Sequence, residues 1–552
     1  MKSAKSERWI RVGVILGSKH IPAWQHSALQ QIIDSDCAEI ALVLVAEPNG
    51  RTGTDSKASE FLYRWFLQYE ARKPRISPDA FALKDATTLL SNVSQITLSQ
   101  TYRSEPIDNK TRFLNDLRGK NIDVLVSLAD GQLAEGLMSM CPDGFWHFQH
   151  DYQDLNRNNH ASAGFWEFIT RKPCITSRLV VRQDNSKQAE SAYLTCSRLD
   201  YLSHCRSRNE HFWKIAAIVP RVLRKLYNDG SQSFADAVQH KTSNEIRDVI
   251  QPTVRLSNAK VLLPLIGYFG WCFRQNLLRK VYTEKWHLMF GLHQDLHDLT
   301  NFHTLAPPKD KFWADPFIVR ANGVFYLFIE EAELKTGVGY ISVIEMDKCG
   351  NVKWPRVIIK RPYHLSYPFI FEFENHLYMI PESAENKTIE VYKCLEFPFK
   401  WEFDRHLMEN VSAYDATLIE DGGVWWMFAT VAELEGASSM DELCLFFADS
   451  PLSRNWTPHP MNPIVSDVRN ARPAGALYRD GGKLYRPSQN SAHRYGYGLN
   501  INRVMELSKS AYREEITEEF KPDWDRSVKA LHTYNRCGEL TMIDAIRRSK
   551  KS

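Results

Sequence analysis

Four stretches of the C-terminal half set ionisable side chains at matching points. They are "FWADPFIVRANGVFYLFIEEAE" from Phe312, "HLSYPFIFEFENHLYMIPESAE" from His364, "VSAYDATLIEDGGVWWMFATVAE" from Val411 and "NARPAGALYRDGGKLYRPSQNSA" from Asn470. Aligned, they place Asp315, Tyr367, Asp415 and Arg472 at one position, and Glu330, Glu382, Thr430 and Gln489 at another. Paired carboxyl groups of this kind can share acid and base roles in glycosyl chemistry. An arginine among them suits a phosphorylated or acidic sugar better than a neutral one. Asp315, Asp415 and Glu382 are therefore the candidate catalytic residues. Arg472, Tyr367, Glu330 and Gln489 are candidate substrate-binding residues.

The elements that must position them follow from the same stretches. Each reads as a strand, a turn carrying Gly, Asn or Asp, and a second aromatic strand. A third strand follows, as in "GYISVIEMD", "TIEVYKCL", "ELCLFFADS" and "YGLNINRVM". Trp354, Trp401 and Trp456 follow the first three at comparable offsets. A repeat of about 50 residues is of propeller-blade size. A fifth blade is expected from "KWHLMFGL", beginning at Lys285, joined to "LHTYNRCGELTMIDAIR" near the C-terminus. The expectation is a five-bladed β-propeller over 285–552, with both residue sets meeting in an axial funnel.

The N-terminal part has a different grammar. "RVGVILGS", "PAWQHSALQQIIDS" and "AEIALVLVAEP" form a strand–helix–strand unit, and "NIDVLVSLADGQ" adds a buried strand with a polar C-terminal end. One glycine follows the first strand, so the dinucleotide-binding fingerprint is missing. A Rossmann-type α/β domain over 1–204 and a helical connector over 205–284 are expected. "NEHFWKIAAIVPRVLRKLYNDG" has helical spacing ending at Gly230, and "DGSQSFADAVQHKTSNEIRD" reads as a linker.

Bulk properties narrow the class. The chain of 552 residues carries 69 Lys and Arg against 66 Asp and Glu, a net charge of +3, which argues against nucleic acid as partner. Its 10 cysteines are scattered without zinc-like spacing, so no structural metal is expected. Scattered thiols suit a reducing compartment, and no secretory leader is read at the start. Cytoplasmic placement, with association at an inner membrane face, is the expectation. "KVLLPLIGYFGWCFRQNLLRK", from Lys260, has an apolar run shorter than the roughly 20 residues a spanning helix needs. It reads as a packed connector or a peripheral membrane contact.

Two resemblances extend these readings. "IDVLVSLADGQLAEG", "GFWHFQHDYQDLNRNNHASAGFWEFI" and "CITSRLVVRQDNSKQ" make the N-terminal domain similar to formyltransferase catalytic domains. That family implies an Asn-x-His pair and a distant Asp, here replaced by His147-Phe148-Gln149 and Asn185. Gln149 takes up no proton and Asn185 supplies no charge, which speaks against 10-formyltetrahydrofolate as cofactor. His147, Gln149, His150, Asp151 and Arg157 remain as a binding cluster at the implied pocket mouth. Strand alternation points His150 away from the face of Gln149.

The "KFWADPF" and "HLSYPF…LYMIPE" runs resemble the propeller-like N-terminal region of plant glucosamine inositolphosphorylceramide transferases. "ADPF" and "YDATLIEDGG" also resemble five-bladed glycoside hydrolases, in which an aspartate at the place of Asp315 serves as base or nucleophile. These likenesses imply a transferase in surface-polysaccharide or glycolipid biosynthesis, with a sugar nucleotide and a glycan or glycolipid acceptor as partners. The alternatives are an N-formyltransferase acting on an amino-sugar nucleotide, a glycoside hydrolase, and a non-catalytic carbohydrate-binding scaffold.

Overall fold

The computed structural model describes residues 8–46, 60–73, 76–98, 119–129, 141–151, 160–182, 190–245 and 256–551. The chain divides into two compact units, Met1–Cys272 with Leu434–Ala437, and Phe273–Glu433 with Ser438–Ser552.

The first unit is built on a seven-stranded sheet. Its strands are β1 (Ile10–Leu16), β3 (Ala38–Ala46), β5 (Ser94–Leu98), β6 (Val124–Ser127), β7 (Phe145–His150), β8 (Cys174–Arg182) and β9 (Glu190–Arg198), in the order β5-β3-β1-β6-β7-β8-β9. The first five are parallel, and β8 and β9 are antiparallel additions. A small ribbon, β2 (His20–Pro22) with β4 (Leu83–Asp85), lies outside the sheet. Runs such as "IRVGVIL" are apolar on both faces because helices cover a parallel sheet.

The helices are α1 (Ala23–Ile33), α2 (Phe61–Glu70), α3 (Phe165–Thr170), α4 (His204–Ile215), α5 (Ile218–Asp229), α6 (Ser231–Glu245) and α7 (Asn258–Val281). Two expectations for this region are corrected. The stretch read as a polar linker is α6, whose Phe234 and Val238 are buried in the main core of the unit. Phe212, Ile215, Val219, Val222 and Leu226 join the same core, so α4–α6 complete the α/β unit instead of forming a separate connector. Gly230 ends α5 with φ 77, as its spacing predicts, and the chain turns directly into α6.

The second unit is a five-bladed propeller of four-stranded antiparallel blades. Blade one is β12 (Lys311–Ala321), β13 (Val324–Glu333), β14 (Gly339–Met346) and β15 (Arg356–Ile359). Blade two is β16 (Ser366–Phe373), β17 (His376–Glu382), β18 (Thr388–Glu396) and β19 (Lys400–Glu409). Blade three is β20 (Ala413–Asp421), β21 (Val424–Val431), β22 (Leu443–Ala448) and β23 (Thr457–Pro458). Blade four is β24 (Tyr478–Asp480), β25 (Lys483–Asn490), β26 (Gly498–Leu507) and β27 (Tyr512–Phe520).

Blade five joins both ends of the unit. β28 (Val528–Cys537) and β29 (Leu540–Lys550) come from the C-terminal end, and β10 (Tyr282–Leu292) and β11 (His303–Leu305) from its beginning. β10 pairs with β29 along its whole length, from Tyr282 opposite Lys550 to Leu292 opposite Leu540. Opening the ring would break that ladder, so closure is cooperative with blade formation.

The first hairpin of each of the first four blades has a two-residue turn with both φ positive: Asn322-Gly323, Glu374-Asn375, Gly422-Gly423 and Gly481-Gly482. This turn geometry matches the twist of the flanking strands. The fourth blade departs from the expected repeat. Its inner strand shortens to Tyr478–Asp480, and Arg472 lies ahead of it, beside an isolated bridge from Pro473 to Ser488. Gly475, at φ 130, holds its backbone against the Tyr534 carbonyl, where any Cβ would collide.

Candidate functional site

The inner strands of blades one to three each carry the same irregularity. The ladder skips from Ala314 to Phe317, from Ser366 to Phe369, and from Tyr414 to Thr417. The first skipped residue in each is left-handed: Asp315 at φ 50, Tyr367 at φ 44 and Asp415 at φ 54. A non-glycine residue there costs about 1–2 kcal/mol, and three blades bear that cost at one level of the axis. Bulges of this kind re-aim side chains, and here they turn all three inward.

Neighbouring blades are then tied together through these groups. Asp315 accepts from the Tyr367 backbone N–H at 3.2 Å and from the Thr533 hydroxyl at 2.6 Å. The Tyr367 hydroxyl reaches Thr417 Oγ1 at 2.9 Å and donates to the Gly475 carbonyl at 3.1 Å. One side chain thereby links blades two, three and four. Arg472 donates to Asp415 through Nε at 2.6 Å and Nη2 at 3.3 Å, both groups buried. Gln489 Nε2 adds a contact to Asp415 at 3.3 Å.

The second residue set lies beside the first. Glu330 is opposite Ala314, Glu382 opposite Ser366, and Thr430 opposite Tyr414. Glu382 accepts from Ser366 at 3.0 Å and from the Ala384 N–H at 2.7 Å. Glu330 Oε1 lies 3.4 Å from His364 Nε2. Because His364 Nδ1 accepts the Gly339 N–H, its proton is on Nε2, facing that glutamate. Among the described residues, buried Thr430 Oγ1 and Gln489 Oε1 have no hydrogen-bond partner. These two atoms are hydrogen-bonding capacity that the fold itself leaves unused.

Burial sets the charges. It lifts Asp315 to about 6, and the negative charges of Asp544 and Asp415 add to the lift, while His532 opposes it. Burial, then Asp315 and Glu382, raise Glu330 well above the usual carboxyl range. Burial and Asp415 also raise Glu382, with Arg472 opposing. Burial thus favours the protonated form at three carboxyl groups of this one layer.

The sequence reading missed the contribution of blade five. Its ladder skips from Leu531 to Tyr534, so His532 and Thr533 occupy the bulge position. His532 Nδ1 is 2.7 Å from Asp544, its Nε2 is 3.8 Å from Asp315, and its ring stacks on Trp286 at 3.9 Å. Burial pulls the histidine down, but Asp544 and Asp315 outweigh that and raise it. Asp544 also accepts the backbone N–H groups of Asp315, His532 and Thr533. The residues facing the bulge in blades one to three are Ile329, Pro381 and Ala429, all apolar. A buried carboxylate at this position is therefore particular to blade five. Asp315, His532 and Asp544 offer ligand atoms within 4.8 Å of one another, close enough to hold a cation. Tyr414 and Tyr495 flank the Arg472 guanidinium at 5.4 and 5.2 Å and are partly exposed, forming an aromatic mouth above the charged layer.

The N-terminal candidates are not gathered in this way. On β7, Gln149 is exposed, His147 half-buried and His150 buried, so the strand divides them between faces. His150 sits within a hydrogen-bonded chain: Nε2 to His160 Nδ1 at 2.9 Å, Nδ1 to Ser177 at 2.6 Å, Ser177 to His211 at 2.6 Å, and His211 to Ser197 at 2.8 Å. Burial, aided by Arg182, lowers His147 to about 4. Asp151 is paired with Arg178 at 3.5 Å and burial lifts it to about 6. Arg157 and Asn185 lie outside the described residues.

A family model described as glucosamine inositolphosphorylceramide transferase 1, N-terminal, matches residues 303–543. The glucosamine inositolphosphorylceramide transferase 1 of Oryza sativa subsp. japonica is 32% identical over 219 residues, covering 38% of this chain and 29% of the relative. That of Arabidopsis thaliana is 31% identical over 206 residues, covering 37% of this chain and 27% of the relative. The chain thus spans less than a third of the length of these curated relatives. Among solved structures, the catalytic domain of Coprinopsis cinerea GH62 α-L-arabinofuranosidase aligns at 12% identity and TM-score 0.32, covering 43% of this chain and 90% of that one. Cellvibrio cellulosa α-L-arabinanase, complexed with arabinohexaose, aligns at 15% identity and TM-score 0.31, covering 43% and 91%. The expected cytoplasmic placement is corrected by the relatives: they are plant transferases named for a ceramide, a membrane lipid. Among the described residues, no helix is long and apolar enough to cross a membrane.

Proposed function

We propose that this chain is a transferase of glycolipid or surface-glycan assembly, with the axial funnel of the propeller holding a sugar and its linked phosphate. The observation that carries this reading is the convergence of Asp315, Glu330, Glu382, Asp415 and Arg472 from four blades beneath an aromatic mouth. Arg472 spends Nε and Nη2 on Asp415, which leaves guanidinium donors for an anionic oxygen. Glu330 and Glu382, whose carboxyl groups burial pushes up, are the proton donors to a leaving or bridging oxygen in this reading. Asp315, ordered by Thr533 and the Tyr367 N–H, is the base facing an acceptor hydroxyl. Asp544 orients His532, which sets the charge beside Asp315.

The α/β unit is read as a formyltransferase-type fold without that family's catalytic pair, supplying a sugar-nucleotide or acceptor surface. The names of the relatives support a glycolipid acceptor carrying an inositol phosphate. The test is transfer from radiolabelled UDP- and GDP-sugars to an inositol-phosphate lipid by the full chain. Label should appear in the lipid and be lost in Asp315→Asn and Glu330→Gln. Absence of transfer with every donor would remove the transferase reading. Release of sugar from a chromogenic pentoside, abolished by Asp315→Asn, would assign hydrolysis instead.

A further inference from the structure

Helix α7 has apolar residues on two sides. Val261, Leu265 and Tyr268 are buried with Phe66, Phe165 and Phe168 in one core cluster. Leu262, Leu263 and Ile266 instead stand 45%, 73% and 60% exposed. At 3.6 residues per turn these three lie within one arc of about 100°. α2 adds a second exposed line at one-turn spacing, Phe61, Trp65 and Tyr69. Phe269 joins the two helices, with ring centroids 5.8 Å from Trp65 and 5.6 Å from Tyr69. The result is one continuous apolar surface with aromatic rings, larger than the scattered exposed residues of an ordinary surface.

Its rim has one sign. From Leu256 to Cys272 there is no Asp or Glu, whereas Lys260 is present and exposed. The two acids bordering α2 are withdrawn: Glu60 is buried, and Glu70 is buried and engaged by Lys73 and Ser203. Arg72, Arg171 and Lys172 stay exposed, with the Arg171 guanidinium 5.7 Å from the Trp271 ring.

We propose that this surface seats the protein on the anionic headgroup face of a lipid bilayer, with α7 lying in the plane of the interface. An apolar stripe with Trp and Tyr at its edge and cations around it matches that environment in both layers, hydrocarbon below and phosphate above. The inference stands on this surface alone and is independent of the funnel's chemistry. A chain that transfers no sugar would still dock.

The test is flotation of the full chain with vesicles of phosphatidylcholine alone or with about 30% phosphatidylserine. Binding should require the anionic lipid and weaken with salt. The double variant Leu263→Glu/Ile266→Glu should bind at least about tenfold more weakly, with an unchanged melting temperature because both side chains are exposed. Lys260→Glu/Arg171→Glu should remove the dependence on anionic lipid. Failure of the wild type to float, or equal flotation of Leu263→Glu/Ile266→Glu, would overturn the proposal. A wild-type dimer in ultracentrifugation that becomes monomeric in Leu263→Glu/Ile266→Glu would also overturn it, assigning the surface to a second copy.

Discussion

Both units bury a histidine within a polar network, and the two networks are opposite in kind. In the α/β unit, His160, His150, Ser177, His211 and Ser197 pass hydrogen bonds along one chain. Burial lowers His150 well below its usual value and His211 to about 3. In the propeller, His532 is held up by Asp544 and Asp315, among strained backbones and polar atoms left without partners. In the first network burial drives the histidines toward the neutral form. The second keeps charge and unmet hydrogen-bonding capacity at one point, which costs stability. Buried histidine alone is thus a poor sign of function; retained charge with orphaned neighbours is a better one.

The comparison can be broken most forcibly at the Arg472–Asp415 pair. Arg472→Met strands a buried carboxylate and should lower stability by about 3–5 kcal/mol in urea denaturation. Pairing it with Asp415→Leu should recover most of that stability but not sugar binding, which separates fold from function. Full recovery of binding would make the pair merely structural. In the other network, His211→Leu should cost about 1–3 kcal/mol by removing the side-chain partner of Ser197 and leaving Ser177 with His150 alone. Transfer activity should be unchanged; loss of activity without loss of stability would bring the α/β histidines into the chemistry.

The pH dependence should have opposite signs in the two networks. His532 is raised, so its contribution is full below pH 6.5 and lost as pH rises through its folded value. Asp315, lifted to about 6, adds loss of the same sign as pH rises from 3.8. His150 and His211 are lowered, so their contribution is full above pH 6.5 and lost as pH falls. Region-resolved hydrogen exchange at about pH 5.5 and about pH 7.5, corrected for intrinsic rates, should show β12 and β28 better protected at the lower value and β7 and β8 at the higher. Parallel trends in both would contradict the assigned charges. The smallest effect is expected at Thr430→Val. Stability should stay within about 0.5 kcal/mol, while affinity for sugar falls about three- to tenfold as one ligand contact is lost. Unchanged affinity would place the orphaned hydroxyl outside the ligand's reach.

How much of this was legible in the sequence depends on periodicity. Four blades show because strand, two-residue turn and aromatic strand recur, and alignment of those repeats singles out Asp315, Tyr367 and Asp415. His532 and Asp544 escaped because blade five is split between two distant segments and does not align as one repeat. The signal was present in "LHTYN", where Leu531 and Tyr534 bracket two residues as Ala314 and Phe317 do. Arg472 aligned correctly in sequence, yet Pro473 and Gly475 take it off the strand. The amphipathic pattern of α4–α6 announced helices but not their packing partner, and the polar residues of α6 disguised it as a linker. The chain from His150 to Ser197 has no period at all, since its members are brought together by tertiary pairing of β7, β8, β9 and α4.

The most direct measurement is saturation-transfer NMR with a glucosaminyl-inositol phosphate on the wild type and on Asp315→Asn. Magnetisation should pass to the sugar ring protons in the wild type and vanish in the variant while its fold persists. Equal transfer in both proteins would contradict an axial sugar site.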